Sequence, residues 1–246
     1  MSKYEVSIPE YSEFSEILKN KFSENKLDKF YNESNCQKFY TLTKMLLETN
    51  SKMNLTAIRD VEGTIVKHYC DCLFIADMIS KNAKMLDVGC GGGFPTLPVA
   101  LVRDDVKIVS LDSTAKKLGF VSDVAKELGL NVTTLCGRAE EIAGNSAYRE
   151  SFDVVTARAV SSLDILSELC IPFVKLGGRF IAMKGSSGNE EFEKAKKGIG
   201  ILGGGDIKES VFMLEDMKRY IYVVEKKKKT PSLYPRAYAK ICKTPL

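Results

Sequence analysis

A glycine run set between an apolar segment and a helix start constrains this chain most. In Met85-Leu86-Asp87-Val88-Gly89-Cys90-Gly91-Gly92-Gly93-Phe94-Pro95 a short apolar stretch ends in an acid, passes through a tight loop and enters a segment able to open a helix. Strand, loop and helix N-terminus in that order are how an α/β sheet opens a nucleotide-sized crevice at its strand ends. Residues without Cβ let the loop backbone lie against a ligand. Pro95 and Pro98 suit a first helical turn, where N–H groups have no intrahelical partner to lose.

The loop is not a dinucleotide fingerprint. G-x-G-x-x-G needs a third glycine where this chain has Phe94. The pattern D-x-G-x-G-x-G is nearer, and it resembles the first motif of Rossmann-like methyltransferases that use S-adenosylmethionine (SAM). That ligand has an adenosine and a charged methionine end rather than a pyrophosphate.

Along the chain, residues 1–80 read as helices. Apolar positions at Phe14, Ile17, Leu18, Phe22, Leu27 and Phe30 predict one helix over 10–30, and Phe39, Leu42, Met45 and Leu46 a second. After a turn-rich link at 50–56, Ile65, Tyr69, Cys72, Leu73 and Ala76 predict a third over about 61–80. From Lys84 the period changes. Strands are expected at 85–88, 106–111, 132–135, 152–157 and 179–184, alternating with helices at 95–103, 114–129, 139–142 and 161–173. That alternation implies a parallel sheet covered on both faces. A further helix is expected at 188–200, with turns at 176–178 and 203–206. Two antiparallel strands at 211–214 and 219–225 complete seven strands. The expected organisation is a helical extension over residues 1–80 and a core domain over 81–246 with a basic tail.

Charge is unevenly placed. The chain is +4 overall, yet residues 218–246 hold nine Lys/Arg against one acid, Glu225, so that end is +8 and the rest −4. A basic end on a mildly acidic body points to a polyanionic partner, with the Lys226–Lys229 run exposed. Seven scattered cysteines, with no C-x-x-C, fit free thiols in a reducing compartment. The single histidine leaves little from which to build a zinc site. No apolar run approaches the roughly 20 residues that span a bilayer. The start Met1-Ser2-Lys3-Tyr4-Glu5 carries an early acid and no apolar h-region, so no secretory leader is expected.

Several residues are placed to do chemistry, each with a plainer alternative. Asp112 closes the second strand, where a carboxylate accepts ribose hydroxyls or caps the following helix. Asp87 orders the loop N–H groups or reaches the methionine amino group. Ala139 and Glu140 lie where an adenine edge would fall, or simply begin a helix with an acid. Arg158, after the fourth strand, faces a phosphate, a base carbonyl or a carboxylate, or forms a salt bridge at a helix start. Lys184 contacts RNA phosphate or is a solvated strand end. His68 is a general base or a packed side chain.

Taken in order, these blocks resemble the ribosomal RNA small subunit methyltransferase G family, also called the glucose-inhibited division protein B group. The resemblance runs through Asn54-Leu55-Thr56 with Arg59-Asp60, His68 with Asp71, and Asp87–Pro95. It continues through Leu111-Asp112-Ser113, Lys116-Lys117, Arg158-Ala159, Gly177-Gly178, Lys184-Gly185, Tyr234-Pro235-Arg236 and Lys243-Thr244-Pro245-Leu246. Thr96, and Thr114 after Ser113, depart from the residues more usual there. The resemblance implies a Rossmann-like class I SAM-dependent methyltransferase with a mostly parallel seven-stranded sheet and an N-terminal helical extension. It implies methyl transfer to N7 of one guanosine in 16S rRNA of the small ribosomal subunit. It carries SAM contacts over to Gly89, Phe94, Asp112, Ser113, Thr114, Ala139, Glu140 and Arg158, with no catalytic side chain. A cytoplasmic monomer without metal or membrane attachment is expected. A protein or small-molecule methyltransferase would share every SAM argument but not the basic end; a nucleotide-binding module would need the loop without a competent crevice.

Overall fold

The computed structural model describes residues 8–246; the start at Met1–Glu5 lies outside the described residues. The first helical stripe becomes α1 (Tyr11–Glu24) and a 3-10 turn at Asp28–Phe30. The break falls where Lys26 takes φ +59°, a left-handed residue that ends a helix. Helix α2 (Glu33–Met53) absorbs half of the expected 50–56 link. It does so because Asn50 acts as a template from within the helix. Its Oδ1 accepts from the N–H groups of Leu55 and Thr56, and its Nδ2 donates to the carbonyls of Thr56 and Ile58. The third stripe divides into α3 (Val61–Thr64), a π-helical turn (Ile65–Cys70), α4 (Asp71–Leu73) and a 3-10 turn (Ala76–Met78). Ile65, Tyr69, Cys72, Leu73 and Ala76 are all buried, as the stripe requires.

The sheet then forms: β1 (Lys84–Val88), α5 (Thr96–Val102), β2 (Lys107–Asp112), α6 (Ala115–Glu127), β3 (Val132–Cys136), α7 (Ala139–Ile142), β4 (Phe152–Arg158), α8 (Leu163–Cys170), β5 (Val174–Lys184), α9 (Gly188–Ile201), β6 (Gly204–Leu214), β7 (Met217–Lys226) and α10 (Tyr238–Lys243). Strand order is β3-β2-β1-β4-β5-β7-β6. The first five are parallel, and β7 pairs antiparallel with both β5 and β6. The order reverses between β1 and β4, the switch point where such sheets bind ligands.

Three expectations are corrected. Residues 176–178 do not precede the fifth strand but bulge within it. Pairing jumps from Phe152↔Val174 to Val154↔Arg179, Gly177 sits at φ +75°, and a Cβ on Gly178 would meet the Asp153 carbonyl at 2.7 Å. Gly204 and Gly205 belong to β6 rather than to a turn. The Lys226–Lys229 run is not wholly exposed. Lys226 is 1% exposed, its ammonium on the Ile171 carbonyl (2.9 Å) and Thr230 Oγ1 (2.5 Å), with Glu150 at 3.4 Å. Burial pushes that ammonium down to about 8 against the pull of Glu150.

The N-terminal helices share a core with the sheet's helices: Phe14, Leu18, Phe39, Leu42 and Leu46 pack in one cluster with Leu97, Leu101, Leu118 and Val121. On the other face α8 and α9 cover β4, β5 and β7 through Leu166, Ala195, Ile199, Phe180 and Tyr222. The basic tail is laced onto this second layer. Arg149 donates to the carbonyls of Thr230, Pro231 and Tyr234. The Arg236 side chain grips Glu168, which is fully buried, through Nε (2.9 Å) and Nη2 (2.6 Å). Arg236→Ala strands that carboxylate without a counter-ion, and a loss on the order of 3–5 kcal/mol is expected. Urea unfolding reads it; a midpoint equal to wild type would show that the pair does not hold the tail.

Candidate active site

Two side-chain clusters shape the loop after β1. The first is beneath it. Asp87, fully buried, accepts from Thr96 Oγ1 (2.7 Å), Thr96 N (3.3 Å) and Thr156 Oγ1 (3.1 Å), and Thr96 Oγ1 also meets Ser110 Oγ (3.0 Å). Asp87 thus ties β1 to α5, β2 and β4 at the switch point. Burial raises its carboxyl to about 6, and the threonine hydrogen bonds oppose that rise. The second cluster is at the edge of β2. The Leu111 carbonyl accepts from the N–H groups of Gly89 (2.7 Å) and Cys90 (3.1 Å). Asp112 accepts from Gly91 N (3.0 Å) through one oxygen and Thr114 N (2.8 Å) through the other. Asp112 is not the N-cap of α6, which is Thr114; its bond to Thr114 N orders the turn ahead of the helix. Each carboxylate oxygen keeps lone-pair capacity toward the crevice. Gly89 must be glycine: φ is +70°, and a Cβ would meet Val160 Cγ2 at 2.7 Å.

Above the loop lies a crevice of about 450 Å³. Gly89, Phe94, Asp112, Ser113, Thr114, Ala139, Glu140 and Arg158 all line it, so the fold brings together every residue expected to contact the cofactor. Asp87 does not line it, consistent with its loop-ordering alternative. Size, a glycine-rich loop floor and a carboxylate at the end of β2 fit a nucleoside with a small charged tail.

The wall opposite is built by the π-helical turn. His68 stacks on Phe94, with ring centroids 4.1 Å apart and planes 13° apart. Its Nε2 meets Thr56 Oγ1 at 2.8 Å, and its Nδ1 faces Arg158 Nη2 at 3.0 Å. A guanidinium only donates, so Nδ1 accepts and the proton resides on Nε2. Burial, then the charge of Arg158, lowers the imidazole to about 3. Arg158 also donates through Nη1 to the Lys67 carbonyl and to Asp71 Oδ2, both at 3.0 Å. Asp71 Oδ1 accepts from Arg219 Nε at 3.2 Å. The salt-bridge alternative for Arg158 is thus realised while the residue still lines the crevice. Lys184 is not a solvated strand end: it is 8% exposed, on Glu191 (2.7 Å) and the Ser161 carbonyl (2.5 Å).

Tyr238 is a crevice residue that the sequence reading did not single out. It stands on α10, with the Arg138 guanidinium 5.9 Å from its ring centroid. Its only sequence signal is its place two residues after the Tyr-Pro-Arg block.

A doubly wound sheet with a glycine-floored crevice at its switch point, and an antiparallel β7 inserted between β5 and β6, defines a Rossmann-like SAM-dependent methyltransferase. The fold is shared with a SAM-dependent O-methyltransferase from Thermotoga maritima at TM-score 0.51 and 16% identity, covering 75% of this chain and 72% of that one. The chain belongs to the rRNA small subunit methyltransferase G family, whose GidB model matches residues 35–222. Relatives named ribosomal RNA small subunit methyltransferase G include those of Clostridium perfringens (43% identity, 88% of this chain, 92% of the relative) and Acetivibrio thermocellus (46%, 85% and 88%). No helix among the described residues is long and apolar enough to cross a membrane. No group of three or more His, Cys, Asp or Glu among them could hold a metal.

Two outcomes are expected. Replacing the Tyr238 ring by Ala weakens SAM binding roughly 3- to 10-fold by calorimetry, while Tyr238→Phe binds as wild type; equal affinity for Ala would remove Tyr238 from the site. His68 also sets a pH dependence. Its unfolded value lies near 6.5 and its folded value near 3, so the unfolded state binds more protons between them and stability falls as pH drops below 6.5. Asp87, raised to about 6, acts in the opposite sense from pH 6 down to about 4. Relative to wild type, His68→Gln should gain on the order of 2–3 kcal/mol between pH 7 and 4.5 in denaturant unfolding. A pH-independent difference would show that His68 is not buried neutral.

Proposed function

We propose that the chain transfers a methyl group from SAM to N7 of a guanosine in 16S rRNA of the small ribosomal subunit. The observation that carries the N7 reading, beside the family, is the occupied state of His68. The chain's one histidine has both ring nitrogens hydrogen-bonded and is held neutral. A hydroxyl, amine or ring N–H acceptor would need a base to take its proton. Guanine N7 has a free lone pair and no proton to lose. When bound, SAM supplies a methyl group on a sulfonium, which N7 takes with its lone pair while the C–S bond breaks and its electrons return to sulfur.

The chain's own residues then work by placement. Asp112 would accept the ribose hydroxyls, Ala139 and Glu140 would meet the adenine edge, and Ser113, Thr114 and Gly89, which also line the crevice, would hold the nucleoside. Phe94, braced by His68, closes the crevice against water. Arg158 is fixed as part of the wall rather than free to approach a product that becomes cationic.

Exposed Lys228, Lys229, Lys240 and Lys243 supply phosphate contacts. Lys226 and Arg236, tied inside the fold, do not. The chain acts as a cytoplasmic monomer in this reading.

The test is transfer of labelled methyl from SAM to small subunits lacking their own N7-methylguanosine, with large subunits as control. Label at one guanine N7 of 16S RNA is expected. His68→Gln, if SAM still binds, should keep its single-turnover rate within about tenfold, since a general base contributes about 10²–10⁴. Label elsewhere, or a loss of 10³ in that variant, would overturn the reading.

A further inference from the structure

Beside the cofactor crevice lies a second cavity of about 400 Å³, and His68, Arg158 and Ala159 line both. Its floor is Met183, Tyr220 and Ile221. Four cationic side chains reach its wall: Lys67, Arg158, Lys184 and Arg219. Lys67 is a flexible exposed ammonium, and hydrogen bonds separate the other three. Arg158 uses both Nη1 hydrogens, on Lys67 O and Asp71 Oδ2, and one Nη2 hydrogen on His68. Lys184 is held by Glu191 and the Ser161 carbonyl.

Arg219 differs. Its Nε is anchored on Asp71 Oδ1, which sets the plane of the guanidinium. Its Nη1 makes one long hydrogen bond to the Lys218 carbonyl (3.5 Å) and its Nη2 one to the Met217 sulfur (3.6 Å), which leaves each terminal nitrogen a second hydrogen. The side chain is 21% exposed, and the second hydrogen of each terminal nitrogen has no partner among the described residues. A planar fork held at its back edge and open at its front matches two oxygens of a phosphodiester.

We propose that Arg219 binds a phosphate of the acceptor nucleotide in this second cavity and so sets the base against the shared wall. The proposal rests on the RNA reading above. A phosphate is the partner rather than the base edge, because the N7–O6 edge must be turned toward the cofactor crevice. A guanidinium on that edge would occupy the attacking lone pair. Asp71 is then a positioning residue, aligning Arg219 for the acceptor and Arg158 for the wall.

The experiment uses the full chain and small subunits lacking the methyl group. SAM affinity is measured by calorimetry, subunit binding is followed across salt concentration, and single-turnover transfer is timed. Arg219→Gln is expected to weaken subunit binding about tenfold or more and to lower the slope of log K against log salt by about 0.7–0.9, one phosphate's share. SAM affinity stays at the wild-type value. Arg219→Lys keeps the charge and the slope but loses the fork, so its transfer rate falls while its folding is spared. Wild-type subunit binding and salt slope in Arg219→Gln would overturn the proposal. So would a parallel loss of SAM affinity in both variants, which would mean that Arg219 acts only by holding Asp71. Binding without transfer by the wild-type chain overturns the N7 reading and leaves Arg219 judged on the slope. Absence of wild-type binding overturns both.

Discussion

One buried carboxylate joins the parts of this molecule that matter for its chemistry. Asp71 is 6% exposed and lies between two guanidinium groups, Arg158 from the end of β4 and Arg219 from β7. A buried charge of this kind is tolerated only when paired and hydrogen-bonded, and removing a partner costs more than making the pair contributes. The N-terminal helices are therefore not merely stacked on the sheet. Through Asp71 and the Lys67 carbonyl they fix Arg158. Through Arg158 they fix the His68 tautomer, and through His68 the stacking of Phe94. His68 and Asp71 stand three residues apart, the spacing that puts two side chains on one helical face, and both meet Arg158. The two cavities share a wall because these contacts converge on one arginine.

Beneath the wall a second buried acid works differently. Asp87 has no cation in hydrogen-bond contact and relies on Thr96 and Thr156. Hydroxyl donors partly compensate the burial of a carboxylate, which is why its proton affinity stays raised. The first turn of α5 is thus pinned to β1 by a hydrogen bond whose strength depends on pH. The glycine loop between them is held from the other side by Leu111 and Asp112. The loop is rigid at both ends, so a ligand meets a floor that is already shaped.

Features carried by periodicity and local spacing were legible in the sequence. Seven strands, the switch point, the crevice and the convergence of Asp112, Ala139, Glu140 and Arg158 follow from where apolar runs stop. What was not legible depends on partners far away along the chain. Lys226 reads as the first of four exposed lysines, and only Glu150 and Ile171 make it internal. Asn50 reads as a turn residue, and only the path of the next loop makes it a template inside a helix. Thr96, a departure from the family pattern, gains its role from Asp87 below it. Gly177 and Gly178 carry the composition of a turn, and only the pairing of β4 with β5 shows a bulge.

The same distance effect bears on how charge is read. The +8 of residues 218–246 looks like one basic arm, yet Arg219, Lys226 and Arg236 neutralise Asp71, Glu150 and Glu168 within the fold. Lys227 pairs with Asp206 and Glu225. Nucleic-acid attraction scales with cations left free to displace counterions, not with formal composition. In this chain those are the lysines outside the ion pairs. Arg219 belongs to both sets: its Nε is committed to Asp71 and its fork is open. A side chain anchored at one edge loses less freedom when it binds than a solvated lysine does. That makes a half-used arginine a better means of aligning one nucleotide than the fully exposed charges around it, which serve attraction.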